Sequence, residues 1–134
     1  MKLKILSTVK TNNFKDSEMM NKIGGLWAQN ENIVRETFQS NQSVFVVYHN
    51  YESDYRGDYS VSLCIASEEN FDFDYSTITW VDYSVDSNSE TGIIDTWKQI
   101  WKDENENILK RLYSFDFEQY NADGSISIKI SKAL

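Results

Sequence analysis

The chain has 134 residues, 40% hydrophobic and 14% aromatic, which is enough apolar matter for one packed core and too little length for a second. Its 21 acidic residues against 13 basic ones give a formal net charge of -8, which argues against direct binding to nucleic acid; phosphate backbones are held by clustered Lys and Arg, and here only Lys110 and Arg111 stand together. A single cysteine, Cys64, and a single histidine, His49, exclude a disulfide framework and a Cys/His metal site, and nowhere is there the apolar run that a membrane helix requires.

Residues 1–10 alternate at Leu3, Ile5 and Val9 and predict a strand, with nothing of a signal peptide about them, so the expected compartment is the cytoplasm. Ser17 is expected to open a helix carrying Met20, Ile23 and Trp27 at helical spacing. Gly24 and Gly25 weaken that helix and leave room for a close backbone. Residues 44–51 and 59–65 are β-branched and aromatic and read as a hairpin around Arg56, Gly57 and Asp58. The acid-rich stretch 68–75 reads as a solvated connection or as the edge of a cation-attracting groove. Residues 77–85 predict another strand. Ser87 and Glu90 have the spacing of a capping box ahead of a helix striped by Ile93, Ile94, Trp97, Ile100 and Trp101. Strands at 114–120 and 125–130 follow, joined by Asn121, Ala122, Asp123 and Gly124, where Asp-Gly suits a tight hairpin.

The chain therefore reads as one α+β domain, 1–134, built from two strand-helix-strand-strand repeats at about 1–67 and about 75–134, with the helices on one side of antiparallel sheets. A constant shift of 70 positions lays Ile23 on Ile93, Trp27 on Trp97, Phe45 on Phe115 and Val47 on Phe117. A slightly smaller shift lays Tyr59, Val61 and Leu63 on Ile126, Ile128 and Ile130. The first shift also lays Tyr48 on Glu118. Strand alternation puts Phe115 and Phe117 on one face and Asp116, Glu118 and Tyr120 on the other. The Phe face is expected to pack on the helices, leaving Glu118 near the centre of the opposite face among aromatic neighbours.

Two segments carry a family likeness. They are Tyr48-His49-Asn50-Tyr51-Glu52-Ser53-Asp54 with Gly57-Asp58-Tyr59, and Thr96-Trp97-Lys98-Gln99-Ile100-Trp101 followed by Asp116-Phe117-Glu118-Gln119-Tyr120. The sequence resembles the GyrI-like effector-binding domains, in particular standalone members akin to AraC-type effector modules and integron-cassette effector-binding proteins. The resemblance implies a pseudo-twofold fold with a ligand groove between the repeats. It also implies that a Glu in a Phe-Glu-x-Tyr pattern sits at the pocket base and pairs with lipophilic cations, the position matched by Glu118. The sequence departs from the family pattern where Thr79 follows Ile78 in place of a common proline, and where Cys64 replaces a common glycine. Both changes fall near the expected groove, so no relative's ligand carries over.

The residue chemistry points the same way. A carboxylate ringed by aromatics is costly to keep charged and its pKa rises, and an organic cation relieves that cost. Each Tyr or Trp face would add roughly 0.5–2 kcal/mol of cation–π attraction. Otherwise Glu118 is an exposed carboxylate on the outside of a sheet. Tyr48 is the first aromatic candidate because it shares that face and mirrors Glu118. Tyr83 and Tyr120 follow, with Tyr51 and Tyr113, while Trp27, Trp80 and Trp101 stand between core and pocket wall. Trp97 and Ile93 are expected in the helix–sheet core, and His49 as a structural or rim residue. The expected function is a small-molecule binding module that senses or sequesters lipophilic cations, with no cofactor, no metal, no nucleic acid and no membrane; regulation would require a protein partner. Two alternatives stand beside it. One is a hydrolase of strained electrophiles using Glu118 as base and Tyr48 to orient water, although no nucleophile–base–orienter set is visible. The other is an interaction module such as a gyrase inhibitor, its acidic surface standing in for DNA.

Overall fold

The alternating stretches become strands β1 (Lys2–Thr11), β2 (Val44–His49), β3 (Tyr59–Ala66), β4 (Phe73–Asp74), β5 (Trp80–Val85), β6 (Phe115–Tyr120) and β7 (Ile126–Ser131). Three helices accompany them: α1 (Met19–Gln29), α2 (Glu31–Gln39) and α3 (Gly92–Asn105). The computed structural model describes residues 1–134. All strands join one antiparallel sheet, curled into a half-barrel, in the order β4-β1-β3-β2-β6-β7-β5. The sheet is continuous because β2 and β6 pair along their whole length, from Val44 opposite Tyr120 to His49 opposite Phe115. No helix is long and apolar enough to cross a membrane.

The alternation holds, but what covers each face is the reverse of the expectation. Val44, Val46 and Tyr48 lie under side chains from all three helices, among them Ile23, Leu26, Val34, Phe38 and Trp97. Phe45, Val47, Phe115 and Phe117 instead meet Leu3, Cys64 and a cover made of Phe73, Tyr75, Ile78 and Trp80. That cover comes from the acid-rich connection, which is more than a solvated link. Glu68, Glu69 and Asn70 are exposed, whereas Phe73 and Asp74 pair with β1 at the sheet edge and Tyr75–Thr77 form a 3-10 turn. The aromatic residues of this stretch alternate with acids, so the rings can turn inward while the carboxylates stay in water. Because of this turn β5 starts at Trp80 rather than residue 77.

The helix starts also differ from the sequence pattern. α1 begins at Met19, beyond Ser17, after a turn in which Asp16 accepts from the Glu18 amide, the Thr11 hydroxyl and Lys22 Nζ. Gly24 and Gly25 lie where an added Cβ would meet nothing, so no backbone approaches them. The capping box of Ser87 and Glu90 does not form: α3 starts at Gly92, where a Cβ would sit 2.1 Å from the Asp86 carbonyl oxygen, a contact only glycine allows. α2, a helix the sequence reading leaves unassigned, follows a bend at Asn30 whose amide donates to the Leu26 carbonyl and the Ser7 hydroxyl. Its Val34 and Phe38, one turn apart, close the helix-side core. The Asn121–Gly124 turn has the expected chemistry, with Gly124 at φ +90°.

Candidate functional site

Glu118 lies at the centre of β6, opposite Val46 of β2 and Ile128 of β7, on the face that the helices cover. Its 3% exposure is the direct consequence of that cover. Three uncharged donors hold the carboxylate. The Tyr48 hydroxyl at 2.8 Å and the Trp97 indole N–H at 2.7 Å donate to Oε2, and the Tyr120 hydroxyl donates to Oε1 at 2.6 Å. Each donor follows from the fold: Tyr48 comes from the neighbouring strand, Tyr120 lies two residues along on the same face, and Trp97 reaches down from α3. None of the protein's ion pairs includes Glu118. Burial raises its pKa above the ordinary carboxyl value, and the three hydrogen bonds work against that rise. Burial first, and the nearby Glu118 charge second, push the Tyr48 and Tyr120 hydroxyls well above their usual range, so both remain donors.

Over this carboxylate opens a groove of about 330 Å³ between α1 and α3. Tyr48, Tyr59, Glu118 and Tyr120 form its sheet side, Met19 and Ile23 one wall, and Ile93, Trp97 and Trp101 the other. Met20 and Ile94 are 64% and 47% exposed and belong to its lining as well, giving the groove an apolar mouth. The arrangement is a flexible methionine-bearing wall facing rigid rings over the buried Glu118 carboxylate, with Arg111, already paired to Asp116, also in the lining, which suits flat apolar molecules of varied outline.

Of the ligand residues read from the sequence, the structure brings together Glu118, Tyr48, Trp101 and Tyr120. Trp80, Tyr83 and Trp27 are corrected. Trp80 packs on the far face against Phe115 and Phe117, at 5.2 and 5.1 Å between ring centroids, and donates its N–H to the Tyr75 carbonyl at 2.8 Å. Tyr83 is on the outer strand of the sheet, packed in the cluster around Ile100 and Ile128, with its hydroxyl on Asp103 at 2.9 Å. Trp27 backs Tyr120 edge-on at 4.9 Å and lies outside the groove, toward Val34 and Phe38 of α2. Of the two readings for His49, structural or rim, the structure shows the first: it is buried against Phe73 and bonded to the Ser62 hydroxyl at 2.7 Å. Trp97, read as core, is the donor that reaches Glu118.

The sequence reading missed Tyr55, Tyr59 and above all Arg111. The Arg111 side chain is 1% exposed and pairs with Asp116 at 2.8 Å. Asp116 also accepts from the Ser131 amide at 2.7 Å, the Ser131 hydroxyl and the Tyr51 hydroxyl. The signal was present: an acid on the inward side of a central strand requires a partner, and Arg111 stands five residues before it.

No protein-family model matches the sequence, and no curated protein matches it. Among solved structures the fold is similar to that of an integron cassette protein from the mobile metagenome of Vibrio cholerae, with a TM-score of 0.73 and 23% sequence identity over 99% of this chain and 90% of that one. At that identity the likeness is one of fold.

Proposed function

We propose that this protein is a small-molecule binding module of GyrI-like fold, taking lipophilic cations into the groove and acting as their sensor or sequestering agent. The observation that carries the reading is Glu118, a buried carboxylate held only by neutral donors at the base of an aromatic groove. A buried charge without a counter-ion is costly, and a cation seated against the rings of Tyr48, Tyr59 and Trp97 would supply both the missing charge and cation–π contacts.

The reading includes a duplicated origin for the groove. In support, β1-β3-β2 meets β6-β7-β5 as the same arrangement reversed, and Val47 lies directly opposite Phe117, its counterpart in the shift of 70. Tyr48 and Glu118, another pair at that separation, are hydrogen-bonded to each other across the same central strands. α2 has no counterpart in the second half.

Titration with an aromatic cationic dye tests the binding reading. Trp97 and Trp101 line the groove, so tryptophan emission should change saturably with the cation and much less with a neutral analogue of the same outline. Equal responses to both would show that the groove does not read charge. One observation favours turnover as a second reading: Glu118 carries a raised pKa and two tyrosine hydroxyls, as a base that activates water would. Conversion of an aryl epoxide to its diol, lost in Glu118→Gln, would support it, and an unchanged epoxide would remove it.

A further inference from the structure

Across the whole molecule, just two buried side-chain nitrogens have no hydrogen-bond partner among the protein's own groups: Trp101 Nε1 and Arg111 Nε. Both belong to residues that line the Glu118 groove. Native interiors rarely leave such donors unpaired, because each has given up water without gaining an acceptor. Their concentration in one cavity is therefore informative. We propose that the groove recognises a second feature of its ligand besides positive charge: a neutral oxygen acceptor, such as a carbonyl, ether or hydroxyl, taken by the free N–H groups of Trp101 and Arg111. The inference rests on the cationic reading of the groove and specifies what else the cation must carry.

The geometry on α3 supplies the spacing. Trp97 and Trp101 stand four residues apart on one side of the helix, and the first donates to Glu118 while the second donates to nothing. One helical turn separates them by about 6 Å along the axis, so the charged and acceptor ends of the ligand should lie roughly that far apart. The acceptor is neutral rather than anionic for an electrostatic reason. Arg111 already faces Asp116 at 2.8 Å and Glu104 at 3.6 Å, and the Tyr113 hydroxyl occupies its Nη1. An added carboxylate would meet two others around one guanidinium, whereas a carbonyl oxygen would take the remaining N–H without new charge. The Trp101 indole is stacked on Tyr55 at 5.0 Å and touched by Phe14 at 5.9 Å. Phe14 is 61% exposed.

The test uses two quaternary ammonium probes of matched shape, para-acetylbenzyl trimethylammonium and its para-isopropenyl counterpart, which exchange a carbonyl oxygen for a methylene. Calorimetry on the wild-type protein should show the ketone binding about tenfold more tightly, the scale of one well-made hydrogen bond. In Trp101→Phe, which keeps an aromatic ring and removes the N–H, that preference should fall to about threefold or less, the remainder due to Arg111. Glu118→Gln should weaken both probes alike. Equal affinity of the two probes for wild type, with both weakened in Glu118→Gln, would overturn the acceptor site and leave the cation site standing. Failure of both probes to bind would overturn the two together. A full preference persisting in Trp101→Phe would also contradict the assignment. Should that variant not fold, NMR of the wild-type indole N–H groups decides: the Trp101 proton should move downfield with the ketone and not with the alkene, and identical positions with both would overturn the proposal.

Discussion

Asp116 and Glu118 stand two residues apart on one face of β6, buried to 0% and 3% exposure, and their surroundings differ in kind. Asp116 has a full counter-ion in Arg111, with Ser131 and Tyr51 completing its shell. Glu118 accepts three hydrogen bonds, all from neutral groups, and has no counter-ion. Neutral donors can hold a carboxylate in place, yet they leave its net charge to act on whatever enters the groove. The pair of sites therefore separates two uses of a buried acid. Asp116 is neutralised within the fold and ties the chain end at Ser131 to the residues before β6, while Glu118 stays uncompensated and faces a cavity.

The largest expected effect lies at the neutralised site. Arg111→Met would leave Asp116 buried without its cation and should cost about 3–5 kcal/mol of stability in denaturant titration. A loss below about 1 kcal/mol would mean that Ser131 and Tyr51 alone satisfy Asp116, and the contrast between the two acids would collapse. The uncompensated site should show itself through pH. Glu118 has its folded pKa raised above the ordinary value near 4.5, so between those values the folded protein holds a proton that the unfolded chain has released. This contribution to stability is complete below the unfolded pKa and is lost as pH rises through the folded one. Glu118→Gln lacks it, so the stability of wild type relative to the variant should decline as pH rises from the ordinary carboxyl value through the raised folded one. A difference that is flat or grows with pH would contradict an uncompensated carboxylate. The smallest effect belongs to the far face: Trp80→Phe should alter dye affinity by less than about twofold, since Trp80 packs on Phe115 and Phe117 and not in the groove. A large loss there would move the site to the other side of the sheet.

How far the sequence reaches can be judged from these same residues. Strand alternation separates Glu118 from Phe117, as the structure does. Alternation says which side chains share a face, however, and not what will cover it. The stretch 68–75 looks solvated by composition, and only its pairing with β1 turns Phe73 and Tyr75 onto the sheet. Trp80 and Tyr83 were misplaced for a related reason, because the side on which an outer strand packs depends on how the sheet curls. Arg111 becomes legible as the partner of Asp116 only once that acid's face is known to be the covered one, which alternation alone does not say. α2 is short, and its Asn30 bonds Leu26 and Ser7 instead of capping the helix; the amphipathic spacing of Ile33, Val34 and Phe38 was the signal that could have found it.

The central claim is that Glu118 acts on a ligand through its charge. Calorimetry with one lipophilic cation and its neutral isostere, on wild type and Glu118→Gln, measures that claim directly. Gln preserves the volume, and the Tyr120 hydroxyl can turn to accept from the new amide, so the groove should keep its shape. The cation should lose about 1.5–3 kcal/mol of binding free energy in the variant, the scale of a hydrogen bond or contact to a charged group, while the neutral isostere should bind both proteins equally. Equal losses for the two ligands would mean that Glu118 only shapes the groove, and no loss for either would place it outside the site.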